Sequence, residues 1–387
     1  MATSAMRALR LRSHFPWWRL ARFVVLAGLL TALGAITWAY FLAHSALPQL
    51  DGTVQLRGLS TQVTVTRDAH GVPTIEASTL PDLFFSQGYV TAQDRLWQMD
   101  IMRRFAAGEL AEILGDDLLK HDREQRILGL RIAAQRALEI TSEAERSRLS
   151  AYAHGVNAYI ESHRDKLPLE FRILHYSPRL WTPEDSALIA AQMVKDLNHG
   201  PYRQALTREK ILAKLVPELT ADLYVNSSVR DRPPTMSRPH LPNNAEDGEM
   251  TRQAGDSLPA EIPVPAMSEF PSIANFDMDQ PPAVGSNNWV ISGAHTVSGK
   301  PLLSNDMHLG HQMPNLWYEA HLHCGTFNAA GVTLPGVPYV IVGHNQRIAW
   351  GFTNVGPTVE DVYVETFNQS GNISRPRAGA NLSVAAK

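Results

Sequence analysis

A long stretch rich in Pro, Ser, Asn, Asp and Glu, residues 226–282, divides the chain into two halves of different character. It contains the runs R-D-R-P-P-T and R-P-H-L-P-N-N-A-E-D-G-E and has little apolar periodicity. A loop of this length inside a domain is usually a linker, a disordered segment or a functional segment. Two interpretations stay open: an ordinary linker, or a spacer that is removed after synthesis.

The half before this stretch is predicted to be mainly helical. Thr79 is a plausible helix N-cap, and apolar residues recur at helical spacing after it. Thr182 followed by Pro183 is typical of another helix start. Further helices are predicted over residues 118–140 and 143–163, from 183 to about 197, from about 203 to 215, and briefly after Pro217. Residues 51–75, where valines alternate with threonines, predict strands.

The half after the stretch is β-rich. Short apolar runs separated by Gly, Pro and Asn predict strands over residues 288–292, 300–304, 317–323, 327–332, 339–343, 347–353 and 362–367. Helices in one half and strands in the other predict an α+β fold made in two pieces. The expected regions are a helical region at 51–225, a spacer at 226–285 and a β-rich region at 286–387.

The N-terminus has the pattern of an export signal. A basic segment, residues 1–22, precedes an uncharged apolar stretch at 23–43. At 1.5 Å per residue this stretch spans a hydrocarbon layer of roughly 30 Å. The arginines are expected to stay cytoplasmic, which places the following chain in the periplasm or outside the cell. We favour an uncleaved membrane anchor. The alternative is a signal peptide cleaved before Ala46, which would leave a secreted protein.

Composition excludes several classes of protein. The chain has 387 residues, is 44% hydrophobic and carries a formal net charge of -3, which gives no basic surface for nucleic acid. With the single cysteine Cys324, neither an internal disulfide nor a cysteine-based zinc site can form. Four nearby histidines could suggest a metal site, but no carboxylate pattern completes the set, and scattered satisfied or surface histidines are the favoured interpretation. These histidines are His308, His311, His321 and His323.

A Gly-Ser bond, Gly285–Ser286, stands where strand-like sequence begins. If this bond were cut, Ser286 would carry its hydroxyl and a free α-amine on one residue. An α-amine has an ordinary pKa of about 8, so the nucleophile would have its own base. The sequence contains no Gly-x-Ser-x-Gly, His-Glu-x-x-His, P-loop or Gly-x-Gly-x-x-Gly motif. The alternative interpretation of Ser286 is an ordinary turn serine.

Several motifs are distributed from about residue 59 to 368. They are G-Y-V-T-A-Q-D-R-L-W-Q-M-D (88–100), Arg103-Arg104, G-E-L-A-E-I-L-G (108–115), Y-A-H-G-V-N-A-Y-I (152–160), G-S-N-N-W-V-I-S-G, L-S-N-D-M-H-L, V-G-H-N-Q-R-I-A-W-G-F-T-N (342–354) and D-V-Y-V-E (361–365). Together these motifs resemble the N-terminal half of the penicillin acylase (penicillin amidase) family of N-terminal nucleophile hydrolases. The resemblance implies an αββα-type core and self-cleavage between Gly285 and Ser286. It also implies hydrolysis of a linear amide through an acyl-Ser286 intermediate.

The resemblance also implies roles for individual residues. The backbone carbonyl of His308 would orient the new amine, and the backbone N–H of Asn354 would contribute to an oxyanion hole. The alternative for Asn354 is a loop asparagine at a strand end. Four residues fall at acyl-pocket positions, although each could equally be a core residue: Leu309, Val342, Leu197 and Asn198.

Family members commonly hold a structural calcium ion, and this sequence departs from that pattern. The positions that match its ligands are Gln204, Thr358, Glu360 and Asp361. Only Asp361 keeps the side-chain carboxylate the family uses, and Glu360 would offer its backbone carbonyl. Because calcium prefers several charged oxygens, we predict weak or absent calcium binding and no required cofactor.

Family members are considerably longer than this chain, and their later part supplies an asparagine and an arginine to the site. The resemblance therefore implies a partner: a missing C-terminal half, or the protein's own processed subunits. The expected substrate is a small N-acyl compound, such as an acylated β-lactam or an acyl-homoserine lactone. The competing hypothesis is a truncated, non-catalytic, membrane-tethered remnant, or one half of a split enzyme.

Overall fold

The computed structural model describes residues 17–198, 201–215, 219, 223, 285–310 and 312–354. The chain divides into two units. The first comprises Met1–Asp196 and Gly285–Thr353, and the second comprises Leu197–Val284 and Asn354–Lys387. The predicted spacer, the short helix after Pro217 and the strand at 362–367 lie outside the described residues, apart from the isolated positions 219 and 223 and from Gly285 at the end of the spacer.

The N-terminal helix α1, Trp17–Ser45, contains the predicted apolar stretch. Its segment Leu20–Ser45 has a mean hydropathy of 2.0 and is not buried. Within the described part of the chain it is the one helix long and apolar enough to cross a membrane. This length and composition fit either a membrane span or a signal sequence.

Eight further helices follow among the described residues. They are α2 (Leu80–Ala107), α3 (Ala111–Leu114), α4 (Leu119–Leu128), α5 (Leu130–Ile140), α6 (Glu143–Ser162), α7 (Leu169–Ile173), α8 (Pro183–Asn198) and α9 (Pro201–Leu212). Thr79 caps α2 as predicted, since its Oγ1 accepts a hydrogen bond from the Asp82 N–H at 3.2 Å. The single helix predicted over 118–140 is wrong. Gly129, with φ +69°, ends α4 in the left-handed conformation that glycine adopts without strain.

Eight strands are described: β1 (Thr64–Arg67), β2 (Pro73–Glu76), β3 (Gly285–Ile291), β4 (Leu302–His308), β5 (Tyr318–Cys324), β6 (Phe327–Thr333), β7 (Val342–His344) and β8 (Ala349–Trp350). Six of them form one sheet in the order β1-β2-β5-β6-β7-β8. The β2–β5 pair is parallel, with Ile75 opposite Leu322, and the other pairs are antiparallel. The β3–β4 pair forms a separate two-stranded sheet. The mixed helix and sheet content predicted from the sequence is therefore present.

The strand boundaries differ from the predictions in two informative places. Strands in the region 51–75 are confined to the hairpin β1–β2. Asp68 closes the turn of this hairpin by accepting from the N–H groups of His70 and Val72. The strand predicted to begin at Asn288 begins at Gly285 instead. The Gly285–Ser286 bond therefore lies inside β3, which pairs with β4 over its whole length.

Helix α2 is the central element of the first unit. One side of it packs on α6, where Tyr89 and Leu96 share a buried cluster with Tyr152 and Val156. Its other side packs on the six-stranded sheet through residues such as Leu83 and Val90, clustered with Ile75 and Leu322. Full burial of a large apolar side chain stabilises a fold by about 1.5–3 kcal/mol. Burial on both sides explains why α2 lacks a clear polar face.

Candidate active site

Ser286 lies at the second position of β3, directly opposite Met307 of β4. Gly285 is opposite His308 in the same register, so the backbone of His308 lies beside the predicted cleavage bond. Ser286 is half-buried. The side chain of His308 lies outside the described residues. The structure thus brings three of the predicted site residues onto one pair of strands.

Thr353 contacts Ser286 through two hydrogen bonds. The two side-chain oxygens, Ser286 Oγ and Thr353 Oγ1, are 2.6 Å apart. The Thr353 hydroxyl also donates to the backbone carbonyl of Ser286 at 3.1 Å. Thr353 therefore holds both the side chain and the backbone of the candidate nucleophile.

Asn305, in the middle of β4, ties the segment before Thr353 to β3. Its Nδ2 donates to the carbonyl oxygens of Asn287 at 3.1 Å and Phe352 at 3.0 Å. Its Oδ1 accepts from the N–H of Phe352 at 2.9 Å. A Cβ atom on Gly351 would lie 2.7 Å from Asn305 Oδ1, so only glycine leaves room for this contact. One side chain thus fixes residues 351–353 beside the strand of the nucleophile.

The other predicted site residues fall in two places. Leu309 directly follows β4 and Val342 begins β7, and both are half-buried in the first unit. Leu197, Asn198 and Asn354 belong to the second unit. There the Asn354 Nδ2 donates to the carbonyl of Leu197 at 2.8 Å. Their assignment to a substrate pocket and an oxyanion hole stays a prediction.

The predicted calcium positions cannot be placed. Thr358, Glu360, Asp361 and the side chain of Gln204 lie outside the described residues. The donor set itself is a poor match for calcium, which takes six to eight oxygens and favours several carboxylates. The proposed reactions of Ser286 do not require this ion.

Among the described residues, no group of three or more His, Cys, Asp or Glu side chains is arranged to hold a metal. The Nε2 of His321 is hydrogen-bonded to a side chain instead, since it lies 2.8 Å from Asn328 Oδ1. The Nδ1 of His323 lies 3.7 Å from a carboxylate oxygen of Glu76. His311 and the side chain of His308 are not described.

Asp94, in the motif at 88–100, connects helix α2 to the six-stranded sheet. Asp94 forms an ion pair with Arg67 of β1 at 2.8 Å. It also accepts from the Tyr318 hydroxyl at 2.5 Å. Burial, followed by the Asp94 charge, raises the pKa of Tyr318 well above its ordinary value. The motif therefore links α2 to β1 and β5.

Sequence reasoning did not single out Thr353, Asn305 and Gly351. All three lie inside quoted motifs, Asn305 in L-S-N-D-M-H-L and the other two at the end of the motif 342–354. Motif membership was thus an available signal for their importance. Their contacts depend on long-range pairing that no local pattern reveals.

The chain belongs to the penicillin amidase family, whose sequence model matches residues 62–381. Acyl-homoserine lactone acylase QuiP of Pseudomonas aeruginosa is 35% identical over 353 residues, which are 91% of this chain and 40% of that protein. Penicillin acylase 2 proenzyme of Pseudomonas sp. (strain SE83) is 32% identical over 336 residues, which are 86% of this chain and 41% of that protein.

A solved structure of the thermostable penicillin G acylase from Alcaligenes faecalis is 32% identical, with a TM-score of 0.41. That match covers 46% of this chain and 98% of the solved chain. The chain spans about two fifths of the length of the curated relatives described above.

Proposed function

We propose that this chain carries the nucleophile of an amidohydrolase that cleaves the linear amide of a small N-acyl compound. Membership of the penicillin amidase family over residues 62–381 is the observation that carries the proposal. The position of Ser286 supports it, because the hydroxyl is held at the start of a strand beside the bond that must be cut. The proposed fold is the αββα core of the N-terminal nucleophile hydrolases.

The first proposed reaction is self-cleavage at Gly285–Ser286. The Ser286 Oγ attacks the carbonyl carbon of Gly285, and a C–O bond replaces the C–N bond. The hydroxyl proton ends on the departing nitrogen, which becomes the α-amine of Ser286. Water then hydrolyses the ester, leaving a carboxylate on Gly285 and a free hydroxyl on Ser286.

The second proposed reaction is substrate hydrolysis. The Ser286 Oγ attacks the amide carbonyl while the α-amine of Ser286 accepts its proton, directly or through water. The backbone carbonyl of His308 orients that amine, and the backbone N–H of Asn354 stabilises the oxyanion. The amine product leaves, and water hydrolyses the acyl-Ser286 ester. In this proposal Leu309 and Val342 contact the acyl chain.

The proposed substrate class follows from the names of the relatives. One is named an acyl-homoserine lactone acylase and another a penicillin acylase. We therefore propose acyl-homoserine lactones first and acylated β-lactams second. We further propose that α1 anchors the enzyme in the membrane with its main domain in the periplasm.

The test is to detect the acyl-enzyme. Full-length protein from the source organism is mixed with an N-acyl-homoserine lactone and quenched in acid, and the peptide that starts at Ser286 is weighed. We expect added mass equal to the acyl group on Ser286. Ser286→Ala should abolish both the adduct and lactone release, while Ser304→Ala, an exposed serine of β4, should preserve them. Hydrolysis that survives Ser286→Ala would contradict the proposal, and absence of any hydrolysis would favour the non-catalytic remnant.

A further inference from the structure

Self-cleavage poses a problem that substrate hydrolysis does not. In the intact chain the nitrogen of Ser286 is part of the peptide bond to Gly285, so its lone pair is delocalised and not basic. In the first reaction there is therefore no α-amine to bind and orient the Ser286 hydroxyl, and the hydroxyl proton passes to the departing nitrogen only as the C–N bond breaks. A neighbouring group can orient the hydroxyl before the bond is cut.

Thr353 has the geometry for this task. Its hydroxyl has a single proton, which it donates to the carbonyl oxygen of Ser286 at 3.1 Å. The two side-chain oxygens are 2.6 Å apart, and either hydroxyl could donate across that contact. When the Thr353 proton lies on the Ser286 carbonyl oxygen, the Ser286 hydroxyl is the donor to Thr353. In that arrangement the two bonds direct the Ser286 O–H bond toward Thr353 and restrict the rotamer of the nucleophile.

Thr353 is itself held in place. The preceding residue, Phe352, is bound through both its N–H and its carbonyl to the side chain of Asn305. Asn305 also donates to Asn287, the residue after the nucleophile. The segment that carries Thr353 and the strand that carries Ser286 thus share one amide side chain, which leaves little freedom for the hydroxyl pair.

We propose that Thr353 is the positioning residue for self-cleavage at Gly285–Ser286. It aligns the Ser286 Oγ for attack on the Gly285 carbonyl and keeps its own proton on the Ser286 carbonyl oxygen throughout. The bonds made and broken in self-cleavage are unchanged, since Thr353 neither gains nor loses a proton. This inference rests on the proposed function.

Thr353 matters most before the chain is cut. Once the bond is broken, Ser286 has an α-amine within its own structure that binds and activates the hydroxyl. Loss of the Thr353 hydroxyl should therefore slow processing far more than it slows substrate turnover. A purely structural role would instead lower the amount of folded protein and affect both reactions alike.

The experiment follows processing of the full-length protein by intact mass after a pulse of synthesis. Thr353→Val removes the hydroxyl at nearly constant volume, and misplacement of a nucleophile should slow cleavage by about 100-fold. Thr353→Ser should restore a rate within a few-fold of wild type. Thr64→Val, an exposed threonine of β1, is the matched control and should process normally. If Thr353→Val does not fold, Thr353→Ala replaces it.

The matured Thr353→Val enzyme should keep kcat within a few-fold of wild type, which separates positioning from structural damage. Normal processing of Thr353→Val, or processing of Thr353→Ser as slow as that of Thr353→Val, would overturn the inference. A kcat reduced as much as the processing rate would overturn it as well. If wild type itself is never cut at Gly285–Ser286, the proposed self-cleavage fails, whereas normal cutting of both wild type and Thr353→Val defeats only the inference.

Discussion

Gly155 of α6 lies so close to Phe85 of α2 that a Cβ atom on the glycine would be 1.8 Å from the Phe85 carbonyl oxygen. The relationship is reciprocal one turn away, where a Cβ on Gly88 would be 2.1 Å from the carbonyl oxygen of Tyr152. Helices can approach this closely only where both faces lack a side chain. The two glycines thus set the distance between the two helices that build the core.

Gly155→Ala should destabilise the protein by about 3 kcal/mol, because the methyl group meets backbone that cannot rotate away. The measurement is the free energy of unfolding in urea. His154→Ala, at the neighbouring exposed position of α6, is the control and should change it by less than about 0.5 kcal/mol. Equal stability of the two variants would contradict the close packing of α2 and α6.

Asp82 should make stability fall in acid. Its side chain is 2% exposed. Burial raises its pKa, but hydrogen bonds from Ser60 and Thr61 outweigh burial and lower the pKa to about 2. A group whose pKa is lowered by folding stabilises the fold above its unfolded pKa of about 3.9, and that contribution disappears as the pH falls toward 2.

Asp82→Asn should therefore cost about 2 kcal/mol at pH 7, and its difference from wild type should shrink between pH 4 and about 2. Unfolding free energies measured at several pH values check this. Asp117→Asn, at an exposed position, is the control. A destabilisation by Asp82→Asn that is constant down to pH 2 would rule out a titrating carboxylate as its cause.

Arg103 is the centre of a buried ion-pair cluster and is 1% exposed. Its guanidinium contacts Asp100 at 2.5 Å and Asp185 at 3.3 Å. Arg103→Leu leaves two buried carboxylates short of a partner and should cost about 3–5 kcal/mol. Arg148→Leu removes the pair with Glu145 near the surface and should cost less than about 1 kcal/mol. The two variants are compared by their midpoints of urea unfolding. A similar shift of the midpoint for both would contradict the importance of the buried ion-pair cluster.

Calcium should have little effect on this protein. Of its predicted ligands, Gln204 and Thr358 are uncharged and only Asp361 keeps the side-chain carboxylate of the family pattern. A ligand stabilises the folded state only when its concentration exceeds its dissociation constant. The melting midpoint should therefore be the same in 1 mM calcium chloride and in excess chelator. A midpoint raised by several degrees in calcium would show that the site is intact.

Local signals in the sequence predicted the elements well. Thr79 and Thr182 cap α2 and α8 because short side-chain bonds to nearby N–H groups need only neighbouring residues. Gly129 was missed as a helix break, since one glycine inside a periodic pattern does not by itself end a helix. Local sequence patterns therefore predict the first residue of a helix more reliably than a break inside a long helical pattern.

The contacts of the candidate site could not be predicted in the same way. Thr353 reaches Ser286 across 67 positions of sequence, and this contact depends on how the chain returns after β8. The parallel pairing of β2 with β5 is similarly long-range. The motifs identified the segments that contain Asn305 and Gly351. The contact between these two residues depends on the tertiary fold and could not be read from the motifs.

The most direct test of self-cleavage at Gly285–Ser286 is the mass of the mature protein. Full-length protein is purified from its source with protease inhibitors, and its fragments are weighed and sequenced from their N-termini. Self-cleavage at Gly285–Ser286 predicts a fragment that begins at Ser286, and a single uncut chain for Ser286→Ala. A wild-type protein that is active while the Gly285–Ser286 bond is intact, or cleavage that persists in Ser286→Ala, would contradict it.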